Sequence, residues 1–328
     1  MIFFSTIPLL KSATEFLLLA FIAALLVLSL FCVCFILLIC VKSRSSRHLQ
    51  NFNSLWTVRF LFVIFIAFWA LTEAIRIPSF RHIDFHPLFP KLTTPQQANF
   101  CKLHLVLSLG IFEPGFLVIL LFLLDVSVKK TTPKGFFSIF YVFASCLPLF
   151  ILQVYFVFLD VSRVRFPKFF YRSWFLYQNH HGDEPLVLCA YPFLSTILFG
   201  IFGVIYILSF LVSFWKVVSH VINKALKLRI YVLAFTILVC LPLQVLLMGL
   251  SDLWTPDKPT HDLFTLSVFL TTFTCAVVGE GIVVIKPISD SLNAICGRVE
   301  QPPSEKSQGE ISPAPPPAED GVGAAVIV

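Results

Sequence analysis

Charge is what this sequence has least of. Only 13% of its 328 residues are Asp, Glu, Lys or Arg, where soluble domains carry about 25%. A surface so poor in charge cannot mostly face water. The sequence also lacks H-E-x-x-H, G-x-S-x-G and G-x-x-x-x-G-K-[ST]. Those absences remove the common zinc-protease, serine-hydrolase and P-loop readings. An A-x-A cleavage site is missing too. The first apolar block, Phe16 to Val41, runs straight into Lys42, Arg44 and Arg47, so it reads as an uncleaved anchor with a basic stop, not a signal peptide. We expect no enzyme activity, no cofactor and no metal site. The one dense polar cluster, His180-His181-Gly-Asp183-Glu184, consists of loop neighbours that rarely bind one ion without further ligands.

What the sequence does have is apolar length. Hydrophobic residues make up 58% of it, and 38 residues are Phe. They fall into blocks of roughly the 20 residues that cross a bilayer as a helix. We place seven spans at 16–41, 55–77, 103–128, 136–161, 186–215, 229–250 and 262–285. The fold class is therefore an all-α integral membrane bundle of seven transmembrane helices, since an open strand cannot satisfy its backbone in lipid. Residues 1–15 form the N-terminal segment. Ile288, Leu292, Ile295, Cys296 and Val299 make one apolar stripe, which predicts an interfacial helix over 286–299. Residues 300–328 are rich in Pro, Ser and Glu and read as a disordered tail.

Loop charge sets the orientation. Lys42, Arg44 and Arg47, then Lys129, Lys130 and Lys134, then Lys216, Lys224, Lys227 and Arg229 crowd short loops at helix ends. Basic loops stay inside, which puts the N-terminus outside and the tail in the cytosol. The net charge of +6 reflects this topology and not nucleic-acid binding. The lipid bilayer is one partner, and the basic inner loops offer a surface to cytosolic signalling proteins. Oligomeric state is left open.

Cys101 and Cys189 then share the outer, oxidising side, where a disulfide persists. A bridge would fasten the fourth loop over the bundle mouth; two unpaired interfacial thiols are the other reading. Cys296 and Cys40, near the inner surface, are palmitoylation candidates. The remaining cysteines lie in spans as small apolar side chains.

The polar residues inside the spans carry the functional question. In "LSLGIFEPGFLVILLFLL", Glu113, Pro114 and Gly115 interrupt an apolar run. A carboxylate at mid-bilayer costs roughly 2.5–3.5 kcal/mol or more, so Glu113 must face the bundle interior. Pro114 frees backbone groups one turn earlier, and Gly115 lets a neighbour approach. Helix six offers Pro242 with Gln244 in "VCLPLQVLL", and helix four offers Gln153. Two readings stay open: a ligand pocket between helices three, four and six, or a helix kink whose protonated carboxyl is hydrogen-bonded locally. Glu280, between Gly279 and Gly281, is a fourth pocket candidate whose small flanks allow close helix approach. Glu73 and Arg76 fit an i, i+3 pair.

Seven spans, an outer N-terminus, the two outer cysteines, a proline in helix six and a surface helix resemble G-protein-coupled receptors. Several receptor motifs are missing: Asp125 has no following Arg-Tyr, helix six has Cys-Leu-Pro without a Trp, and helix seven has no Asn-Pro-x-x-Tyr. From Asn51 to Arg81, "NFNSLWTVRFLFV…FWALTEAIRIPSFR" resembles the plant-specific seven-helix proteins proposed as candidate G-protein-coupled receptors. That resemblance implies a multi-pass protein of receptor-like shape, in the plasma membrane or endomembranes. The expected function is an orphan receptor coupling an unidentified ligand to cytosolic partners. The alternatives are a small-solute or lipid carrier using its intramembrane carboxylates, and a non-signalling scaffold.

Overall fold

The computed structural model describes residues 2–43, 55–77, 93–128, 135–158, 170–177, 186–252, 254 and 259–290, with the first helix's side chains described from Ala13 to Val41. Among the described residues seven helices are long and apolar enough to cross a membrane, as in a multi-pass integral membrane protein. They are α1 (Ile2–Ser43), α2 (Trp56–Arg76), α3, α4 (Gly135–Phe158), α5 (Phe193–His220), α6 (Lys224–Ser251) and α7. Helix α3 consists of Thr94–Leu107, a π-turn Ser108–Phe112 and Glu113–Val128. Helix α7 consists of Pro259–Glu280, a π-turn Gly281–Ile285 and a last helical stretch to residue 290.

Helix α3 is the axis of the bundle. It packs against α2, α4 and α5, while α1 closes the ring between α2 and α7. It buries 72% of its apolar span, against 22% for both α1 and α5. The inward faces pack Trp69, Phe62, Phe116, Phe199, Phe210 and Phe269, all fully buried. Trp69 stacks on Phe269 with centroids 5.6 Å apart. Outward, Phe31, Phe140, Ile201, Leu208 and Phe235 stay exposed. In water such a belt would be a large apolar patch; for a bundle in lipid it is the solvated face.

Both π-turns end one residue before a proline. The Glu113 amide reaches the Ser108 carbonyl, and Pro114 follows. The Lys286 amide reaches the Gly281 carbonyl, and Pro287 follows. A proline ring collides with the carbonyl four residues back. Widening the preceding turn by one residue moves that carbonyl aside, so the helix continues.

Several expected boundaries shift for this kind of reason. Helix α1 begins at Ile2 instead of 16, and α3 at Thr94 instead of 103. Hydropathy marks where an apolar span starts, whereas backbone hydrogen bonding extends further. For α3 the start is fixed by a capping box, in which the Thr93 amide donates to Gln96 Oε1 at 2.9 Å, and by Pro95 in the first turn. The span expected at 186–215 is two elements. Trp174–Tyr177 (β1) and Leu186–Cys189 (β2) form an antiparallel hairpin with Trp174 opposite Cys189. Pro192 then caps α5. Leu-Val-Leu-Cys is apolar enough to be mistaken for the first turn of the helix. Residues 286–290 continue α7, because the second π-turn absorbs Pro287. The rest of that stretch, with Cys296, and the tail 300–328 lie outside the described residues, as does the His180–Glu184 cluster.

Candidate functional site

Glu113 occupies the first position after the α3 π-turn and is 4% exposed. Its Oε1 accepts from the Trp69 indole N–H of α2 at 3.1 Å and from the Ser108 hydroxyl at 2.9 Å. Its Oε2 accepts from the Gln244 amide of α6. One carboxylate thus ties α2, α3 and α6 together in the interior. Gly115, two residues on, is required by packing: a Cβ there would run into the Phe65 ring of α2. The triplet is therefore a joint in which glutamate supplies the acceptors, proline the widened turn and glycine the close approach.

The expected pocket between helices three, four and six is not assembled in this form. Gln244 meets Glu113, but Gln153 does not. It donates to the Ser195 carbonyl of α5 at 3.2 Å instead. The α3 face that meets α4 is Gly110, where a Cβ would lie 3.2 Å from the Phe150 Cα and 3.7 Å from the Gln153 Cβ. Glu113, three residues later, faces α2 and α6. Glu280 lies elsewhere again. It is fully buried, and its Oε1 accepts from Ser29 of α1 at 2.8 Å, while Oε2 has no hydrogen-bond partner. Of its small flanks, Gly279 meets Phe62, with a Cβ 2.8 Å from Cζ, but Gly281 meets nothing within 4 Å. Only one of the two glycines serves close approach. Pro242 lies within α6 two residues before Gln244.

Cys101 and Cys189 are joined as a disulfide across 88 residues, which ties the start of α3 to β2. Cys40 is half-buried and free. Beneath the disulfide lies a second polar group. Glu73 Oε2 pairs with Arg76 Nη2 at 3.1 Å, and Oε1 lies 3.7 Å from His104 Nε2. Arg76 Nη1 donates to the Tyr191 hydroxyl at 2.8 Å. All four residues are buried. Burial pushes the Tyr191 phenol far above its ordinary range, against the opposing pull of the Arg76 guanidinium, so it stays a hydroxyl.

Glu73 and Trp69 are one helical turn apart on α2. Trp69 and Ser108, which meet Glu113, His104, which lies beside Glu73, and Tyr191, which accepts from Arg76, are not singled out by the sequence. Trp69 and His104 carried a signal of sorts: each places an N–H within or beside an apolar span, where it must find an acceptor. Among the described residues no three His, Cys, Asp or Glu side chains gather as metal ligands would.

No curated protein matches the chain. The model of a family described as "Uncharacterised conserved protein UCP031277" matches residues 7–299, and the chain belongs to that family.

Proposed function

We propose that the protein is a heptahelical receptor-like membrane protein without enzymatic activity. Its hairpin end faces outside, and its basic loops face cytosolic signalling partners. The observation that carries this reading is the Glu113 joint, which binds three helices through a single side chain at a π-turn. Such turns recur at functional sites. A change at the hairpin end that moves α2 would alter the acceptor that also holds α6. The likeness to plant candidate G-protein-coupled receptors points the same way, and so does the clustering of Lys and Arg at the opposite end. A proton-coupled carrier would want its carboxylates along one path. Glu113 and Glu280 instead belong to separate contacts, α2–α3–α6 and α1–α7, which favours the receptor reading.

Glu113→Gln tests this. Gln keeps the size and one acceptor for Trp69 and Ser108 but removes the charge. Expression and trafficking should stay near normal, while recovery of cytosolic partners from native membranes should fall. Normal partner recovery at normal expression would overturn the reading. Orientation is checked separately: a C-terminal epitope should be reachable only after permeabilisation, and one near Lys11 without it.

A further inference from the structure

The hairpin end holds a cleft that the Glu113 joint does not use. It opens between α1, α2, α7 and β2 with a volume of about 80 Å³. At roughly 10–15 Å³ per water-sized probe, that is room for about half a dozen heavy atoms. Its polar lining includes the Arg76 guanidinium, the His261 ring and the Glu15 and Asp262 carboxylates, with Leu18 and Leu266 as apolar walls. Arg76 is 7% exposed and His261 likewise, so both side chains are part of the fold and not surface decoration.

The guanidinium has five N–H donors. Tyr191 and Glu73 are met by Nη1 and Nη2, which leaves donors for a further acceptor in the cleft. Asp262 Oδ1 lies 3.9 Å from His261 Nδ1, too far for a hydrogen bond, and its side chain is 35% exposed. A simple anion here would meet Arg76 but be repelled by Glu15 and Asp262. A simple cation would meet the carboxylates but be repelled by Arg76. A molecule carrying both charges a few atoms apart satisfies both sets.

We propose that this cleft binds a small zwitterion, an α- or β-amino acid with little or no side chain. Its carboxylate sits on Arg76, its ammonium faces Asp262 and Glu15, and its carbon skeleton lies against Leu18 and Leu266. The inference deepens the receptor reading by naming a ligand class, and rests on that reading only for what binding accomplishes. A ligand carboxylate on Arg76 would share that guanidinium with Glu73, whose helix presents Trp69 to Glu113 one turn further in.

The test uses the full chain in lipid nanodiscs, with melting temperature followed during titration by glycine, L-alanine and β-alanine. Acetate and methylammonium serve as single-charge controls. At least one zwitterion should stabilise saturably, with half-saturation at least tenfold below that of either control. Asp262→Asn should raise that half-saturation tenfold or more, measured from its own ligand-free melting temperature. Arg76→Lys gives a second reading: it keeps the charge but loses the fork, and should weaken the zwitterion further. No saturation by any of the three zwitterions would overturn the proposal. So would an equal response to acetate, or undiminished binding by Asp262→Asn. Saturable binding without any change in partner recovery would leave the site standing and count against the receptor reading alone.

Discussion

Two helices of this bundle hold one turn widened by a single residue ahead of a proline, α3 at Ser108–Phe112 and α7 at Gly281–Ile285. Each widened turn adjoins a buried glutamate, Glu113 after the first and Glu280 before the second. The backbone device is shared; the side-chain environments are not. Glu113 receives donors from Trp69, Ser108 and Gln244, two of them on other helices. Glu280 receives one, from Ser29, and leaves an oxygen unpartnered. The π-turn is thus a way of keeping a proline in a helix. What makes one of the two a structural joint is the ring of donors that the neighbouring helices supply.

Replacing each glutamate by leucine should separate the two most widely. Glu113→Leu leaves the Trp69 indole and the Gln244 amide buried without acceptors, at about 1–3 kcal/mol each. The expected loss is roughly 2–6 kcal/mol, seen as a large drop in the temperature at which detergent-solubilised protein loses its monodisperse chromatographic peak. A wild-type profile for this variant would mean the three donors are not spent on Glu113.

The glycines sharpen the same contrast. Gly115→Ala pushes a methyl group into Phe65 and should cost about 1–3 kcal/mol by overpacking. Gly281→Ala meets open space, and should be neutral or gain up to about 1 kcal/mol from reduced backbone freedom. Equal melting temperatures for the pair would remove the packing argument for Gly115.

Glu280→Leu should cost under about 1 kcal/mol. It discards an unpartnered oxygen, and the Ser29 hydroxyl can turn to a carbonyl of its own helix. If its loss matches that of Glu113→Leu, the two sites are equivalent and the comparison fails.

The smallest effect is expected at the far end. Arg229 Nη1 and Asp290 Oδ2 pair at 2.8 Å between α6 and the last turn of α7, with side chains 30% and 54% exposed. Exposed pairs contribute about 0–1 kcal/mol. Arg229→Ala should therefore leave the melting temperature nearly unchanged at physiological salt, and a large shift would show this pair to be better shielded than its exposure implies.

The helix count was legible because twenty apolar residues in a row have few other fates. The buried position of Glu113 followed from the cost of exposing a carboxylate to lipid. Of its partners Gln244 followed and the others did not, because which face of α3 meets α4 depends on a π-turn that no hydropathy pattern reports. Gln153 was grouped with Glu113 on depth alone, whereas Gly110 holds that face. The hairpin was missed for a different reason. Leu186 to Cys189 is as apolar as a helix start, and only Pro192 marks where α5 truly begins. Glu73 and Arg76 were readable as neighbours on one helix, but the contacts to His104 and Tyr191 cross between elements distant in sequence.

The widened turns also change how these two helices keep phase. An α-helix advances about 100° per residue, so one extra residue in a turn rotates everything beyond it by about that angle around the axis. In α3 the side chains from Glu113 onward are set on a different wheel from those before Ser108. Closing that turn to a regular α-turn with Ser108–Phe112 intact would swing Glu113 about 100° away from Trp69 and Gln244, whereas deleting one of those five residues would let an α-turn replace the π-turn with Glu113 still facing them. Comparisons of related chains along this helix therefore need two registers, one for each side of the turn. A single gap there is the loss of the widened turn, with the facing on both sides kept.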